Sequence, residues 1–229
     1  MFQSVRVVKF LPFALLFLLA ACAGGPQLLP ETKRLPERVE LADVPFFQLS
    51  DAQGGPSALA ALLNYHGVIS SPGLVDERIQ RLAKGQRAQI GLEVVARSYD
   101  LLVYPVPGNL DALMQQVSSG HPVLVMQDRL LGGPGSQFAL LVGYDQRERT
   151  LVLRSGNTRR WHTSFASFDN AWDGAGRWAV LIMPTNQLPA QPLKQTWMTA
   201  AQALEQQGRA DAAQRALRTA RQVWPDAQL

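Results

Sequence analysis

Few side chains in this sequence could do hydrolytic chemistry. A nucleophile needs a thiol or an activated hydroxyl, with a base in hydrogen-bond reach. The chain has one cysteine, Cys22, close to its start. Its three histidines are His66, His121 and His162. Ser57 lies one turn beyond Gly54, and two roles are open to it. It could act as a serine nucleophile paired with one of the histidines, or it could do ordinary capping work in a first helical turn. The histidine positions read as a helix end (His66), a strand entrance between glycine and proline (His121) and a loop (His162). No spacing of His, Cys, Asp or Glu points to a metal, and no cofactor is called for.

The element that must position this chemistry is the stretch 44–67, VPFFQLSDAQGGPSALAALLNYHG. Val44, Phe46 and Phe47 predict a short apolar strand, followed by a polar turn and Gly54-Gly55-Pro56. Proline suits a first helical position, where its missing N–H is no loss. Leu59, Leu62 and Leu63 then mark one apolar face at helical spacing. Gly67 stands where a left-handed C-cap would end the helix.

Valine-proline, aromatics, a polar turn and Gly-Pro at a helix start resemble the corresponding segment of the papain-like, bacteriocin-processing (double-glycine leader) cysteine peptidases, family C-39. The resemblance implies an α+β fold, a helical subdomain against an antiparallel sheet. In that family the residue before Gly-Pro is the catalytic cysteine. A thiol there meets the positive end of the helix dipole and becomes thiolate more easily. Here that position is Gly54, which has no side chain. The oxyanion-hole glutamine aligns with Leu49, and Gln48 is one residue away. The family's histidine precedes the aromatic of a strand like FALLVGY (138–144), where this chain has Gln137. Glutamine cannot take a proton at neutral pH. The third residue, Asp or Asn in the family, falls in the neighbourhood of Arg154, Ser155 and Asn157, none an exact match. The catalytic set is therefore degenerate at Gly54, Gln137 and Leu49. A ligand groove is expected around Gln53, Gly55, Ser57 and Gln137.

The remaining elements follow in order. Ser71-Pro72 opens a helix with Val75, Ile79 and Leu82 on one face; 91–101 predicts another. Asn109 is a plausible N-cap for a helix bearing Leu110, Leu113 and Val117. Strands are predicted at 123–127, 138–144, 150–154 and 177–183, with a Gly/Pro turn at 130–136 and a helical excursion at 164–172. Arg159, Arg160 and Trp161 read as a solvated turn.

Residues 1–21 carry Arg6 and Lys9, an apolar run over 10–19 and small residues before Cys22. That is the pattern of a secretory signal peptide, too short for a comfortable span. Leu19-Ala20-Ala21-Cys22 resembles a bacterial lipobox, which implies acylation of Cys22. With no aspartate following, sorting by that resemblance is to the outer membrane, with the domain facing the periplasm. Residues 22–42, with prolines and alternating charges, predict a tether.

At the other end Trp197, Leu204, Gly208, Ala213, Leu217, Ala220 and Pro225 are separated by 7, 4, 5, 4, 3 and 5. Those are tetratricopeptide intervals. Ala201 stands where that motif prefers glycine, and an alanine-rich helical hairpin without repeat ancestry is the other reading of 193–229. A lone unit must cover its faces on the domain or on a partner.

The net charge is +4; without Arg6 and Lys9, 20 basic residues face 18 acidic ones. So even a balance argues against nucleic acid as a partner. The expected organisation is a signal peptide (1–21), tether (22–42), peptidase-like domain (43–185) and helical hairpin (193–229). The expected function is a lipid-anchored pseudopeptidase that binds a peptide or protein segment uncut. The alternatives are a hydrolase using Ser57, and an envelope scaffold acting through its tail.

Overall fold

The computed structural model describes residues 26–48, 54–128 and 135–229. The leader, Cys22, Leu49, Gln53 and most of the 130–136 turn lie outside the described residues. The fold is α+β. Strands β1 (Arg38–Glu40), β2 (Leu101–Pro105), β3 (Val123–Asp128), β4 (Ser136–Asp145), β5 (Thr150–Ser155), β6 (Thr158–Ser164) and β7 (Ala179–Pro184) form one sheet. Its order is β2-β7-β3-β4-β5-β6, every pair antiparallel. β3 pairs with the first half of β4, and β1 takes over beside the second half. Gly143 makes that handover possible: a Cβ there would come within 2.6 Å of the Val39 carbonyl.

Seven helices are described: α1 (Gly54–Tyr65), α2 (Pro72–Leu82), α3 (Ala88–Ser98), α4 (Leu110–Ser118), α5 (Phe165–Gly174), α6 (Lys194–Gln206) and α7 (Ala210–Arg221). They cover both faces of the sheet, and alternate strand residues sort cleanly between them. Leu124, Leu140, Val142, Val152, Val180 and Ile182 pack with α1–α3. Val123, Val125, Leu141, Leu151, Leu153 and Leu181 pack with α4–α7. Strands buried on both faces read as continuous apolar runs, which is why 138–144 shows no polar alternation. Ala58 to Leu63 are all buried, so α1 is enclosed rather than amphipathic. Gly67 ends the helix region with φ 78°.

Several expectations change. Residues 44–48 form no strand, although Val44 is buried. The predicted 91–101 helix is α3, which ends at Ser98, and Leu101 opens β2. Asp100, at φ 62°, turns the chain between them. Residues 158–164 form edge strand β6 rather than a turn and loop. Its exposed polar and charged residues are typical of a guarded sheet edge, which hides the strand pattern. The part of the expected tether that is described, 26–42, is docked on the domain. Leu28 and Thr32 are buried, and the Leu29 N–H donates to Asp111 Oδ1 at 2.8 Å. Gln146 Nε2 donates to the carbonyls of Thr32, Leu35 and Pro36, and Arg160 clasps Glu40 through two 2.7 Å bonds. Backbone groups do most of this docking, and composition does not register them.

The C-terminal hairpin shares the core. Trp197 is fully buried and its Nε1 donates to the Ala216 carbonyl at 3.0 Å. Thr219 Oγ1 donates to Thr185 O at 2.8 Å, and the Leu193 N–H donates to Tyr104 Oη at 3.0 Å. No described helix is long and apolar enough to cross a membrane.

Candidate functional site

Gly54 opens α1 against the first residues of β4. Among the described residues, a Cβ at Gly54 would meet only the Phe138 carbonyl oxygen, at an ordinary contact distance of 3.8 Å. Gly55 differs: its Cβ would lie 3.1 Å from the Phe138 ring and 3.2 Å from Leu92. Its glycine is a packing requirement, and Phe138 is held in turn by an edge-to-face contact with Trp178, centroids 5.7 Å apart.

Two cavities meet at this point. The larger, about 470 Å³, is lined by Gly54, Gly55, Gln137 and Phe138 together with Asp76, Lys84 and Arg87 from the α2–α3 side. The resemblance's nucleophile and base positions thus share one wall. The smaller, about 20 Å³ and so with room for about one water, is lined by Phe46, Phe47, Ser57, Phe138, Arg154 and Ser155 among others. Gly54 and Phe138 line both.

Of the expected groove residues, Gly55 and Gln137 line the larger cavity and Ser57 the smaller. Ser57 is buried. Gln48 is exposed and lines neither cavity. At the end of β5, Ser155 Oγ donates to Phe138 O at 3.1 Å, while Asn157 is exposed in the turn to β6. Arg154 is only 4% exposed. Its Nη2 donates to the carbonyls of Leu41 and Ala42 at 3.2 and 3.1 Å, while Nε and Nη1 have no partner. Burial pushes this guanidinium's pKa below the ordinary arginine value, and Arg159 adds to the effect. Arg154 is what sequence reasoning missed: a strand-end arginine is ordinarily exposed, and only its tertiary placement makes it unusual.

None of the three histidines lines either cavity. His66 Nε2 lies 2.7 Å from the Ile182 carbonyl, and His121 hydrogen-bonds the Leu188 carbonyl. Burial lowers the pKa of both imidazoles. His162 stands on β6, not in a loop. Among the described residues no cluster of His, Cys, Asp and Glu is placed to hold a metal.

By sequence, no protein-family model matches the chain, and neither does any curated protein. Solved structures do match. A C-39-like peptidase from Bacillus anthracis superposes with a TM-score of 0.54 at 19% identity, covering 65% of this chain and 98% of that one. Xylellain, a cysteine protease from Xylella fastidiosa, gives 0.50 at 15% identity, covering 69% and 90%. At such identities the likeness speaks to architecture. The chain has the α+β, papain-like fold of the C-39-like peptidases.

Proposed function

We propose that this chain is a pseudopeptidase, anchored to a membrane through Cys22, that holds a peptide or protein segment in the groove at the start of α1 without cutting it. The observation that carries the reading is the shared wall of the larger cavity, where Gly54 and Gln137 stand at the positions of a nucleophile and a base. Neither can do that work, and the sequence has no cysteine beyond Cys22. The groove does not depend on catalytic side chains, since the start of α1, residues 76–92 and the start of β4 line it. The hairpin's apolar face is already buried against the sheet, which favours the groove over the tail as the recognising surface. The reading places the domain in the periplasm, on the outer membrane.

Wild type and Ser57→Ala are to be compared on double-glycine leader peptides and on simple amides and esters, with cleavage followed by chromatography and binding by fluorescence anisotropy. Binding without product in both proteins is expected. Robust wild-type turnover that disappears in Ser57→Ala would replace the pseudopeptidase by a serine hydrolase.

A further inference from the structure

The segment expected to stand the domain off the membrane is docked from Pro26 onward. The Pro26 carbonyl accepts a 2.7 Å bond from Arg149 Nη2, Leu28 is buried in the α4–α7 layer, and the Leu29 N–H is held by Asp111. Cys22 stands only four residues before Pro26. A residue reaches at most about 3.6 Å, so Cys22 lies within about 15 Å of that docked proline. An acyl anchor on so short a lead brings this part of the surface to the bilayer.

The chemistry of the surface suits that place. Leu29 and Leu193 are 47% and 54% exposed, and both line one cavity beside α4. Across 26–34 and the turn 146–149 the exposed charges are basic at Lys33, Arg34, Arg147 and Arg149 and acidic at Glu31 and Glu148. The larger groove lies elsewhere, among α1–α3 on the other face of the sheet. It meets β4 at Ser136, Gln137 and Phe138, whereas Gln146, which binds residues 32, 35 and 36, follows the opposite end. The 10 residues of β4 span about 30 Å.

We propose that this surface, Leu29 and Leu193 with Lys33, Arg34 and Arg147, rests on the bilayer against anionic phospholipid headgroups, so that the groove faces away from the membrane. This rests on the Cys22 anchor proposed above and names what the docked segment touches. The two leucines gain by leaving water, and each basic side chain gains at a negatively charged surface. A groove turned away from the membrane is open to partners that are not themselves lipid-bound.

The test uses the acylated mature protein in vesicles of phosphatidylethanolamine and phosphatidylglycerol that carry a nitroxide headgroup lipid. Acylation blocks the sulfur of Cys22, so an introduced cysteine is the one free thiol. A bimane label on Gln115→Cys, beside Leu29 and Leu193, reports the contact, and one on Ser136→Cys reports the groove. The first should be quenched strongly and the second left bright. Lys33→Gln should lower the ratio of docked to free-standing domain about 5-fold, the factor for one basic residue at an anionic surface. Leu29→Ser with Leu193→Ser should abolish the contrast between the labels, each variant being checked for folding by circular dichroism. Replacing phosphatidylglycerol by phosphatidylcholine should also reduce the contrast and needs no further variant. Acylated, vesicle-bound protein with equal quenching at both labels, or stronger quenching at Ser136→Cys, overturns the docked face and leaves the anchor standing. A contrast indifferent to these variants and to lipid charge does the same. An unmodified Cys22 by mass spectrometry, with the protein absent from the vesicles, overturns the anchor and the docked face together.

Discussion

The carbonyl oxygen of Phe138 stands 3.8 Å from where a Cβ on Gly54 would be, and the same oxygen accepts a hydrogen bond from Ser155. The start of α1, the start of β4 and the end of β5 therefore converge on one point. Among the described residues nothing else comes within 4 Å of that Cβ position, although the sequence supplies no side chain there.

The two neighbouring glycines should respond in opposite ways to alanine. Among the described residues Gly54→Ala meets only an ordinary contact, and it lowers the flexibility of the unfolded chain, so stability should hold or rise by up to about 1 kcal/mol. Gly55→Ala forces a methyl group between Phe138 and Leu92 and should cost about 1–3 kcal/mol. Urea unfolding of both variants measures the difference. Equal effects would mean that α1 does not pack on β4 as described.

Gly54→Cys should produce a reactive thiol and no peptidase. A cysteine at this helix start should have a pKa below the free-thiol value of about 8.5. With Gln137 still at the position that the resemblance gives to the base, no imidazole would deliver a proton to a leaving amine. Iodoacetamide labelling followed against pH should reveal the lowered pKa, while leader peptides stay intact. Adding Gln137→His should raise labelling before any cleavage is seen. Turnover by Gly54→Cys alone at rates typical of a peptidase would sink this account.

Acid should weaken the fold through His66 and His121. Burial holds both imidazoles below the ordinary histidine pKa, so the unfolded chain takes up protons first as pH falls. Stability is then fully present above about pH 6.5, the unfolded value, and is lost as pH falls below it towards the folded values. Melting temperatures from pH 8 to pH 5 should drop, and His66→Gln should flatten the profile. A profile of wild type that is level over this range would remove both groups from the explanation.

The C-terminal hairpin should be integral to stability. Arg209 Nε donates to Asp100 Oδ1 at 2.6 Å and Arg215 Nη2 to Oδ2 at 3.1 Å, tying α7 to the turn before β2. Trp197→Ala should cost about 3–5 kcal/mol, a large share of an ordinary domain's total. Truncation after Pro189 should expose the apolar face that α6 and α7 cover and give an aggregating chain. A truncated protein that melts at the wild-type temperature would show the tail to be a passive extension.

Cys22→Ser should release the protein from membranes or leave it unprocessed. Fractionation of cells expressing each form measures this. Unchanged processing and membrane partition in the variant would remove the lipid anchor.

Much of this was legible in order along the chain. The Gly-Pro start of α1, the Ser71 and Asn109 caps and the buried strands of 138–144 and 150–154 rest on local chemistry, where residue type and spacing act within a few positions. The lack of a thiol and of a base at Gly54 and Gln137 is likewise a property of residue identity, and no folding can supply it. Strands β1, β2 and β6 were not legible, because edge and partner strands are made by backbone pairing with distant segments, and polar edges hide the pattern. The docking of 26–42 and of the hairpin on the sheet was decided by the same long-range pairing. Arg154 is the sharpest case. Its charge is written in the sequence, but its burial beside α1, with Nε and Nη1 unpartnered, exists only once β5, β1 and the helix start are brought together.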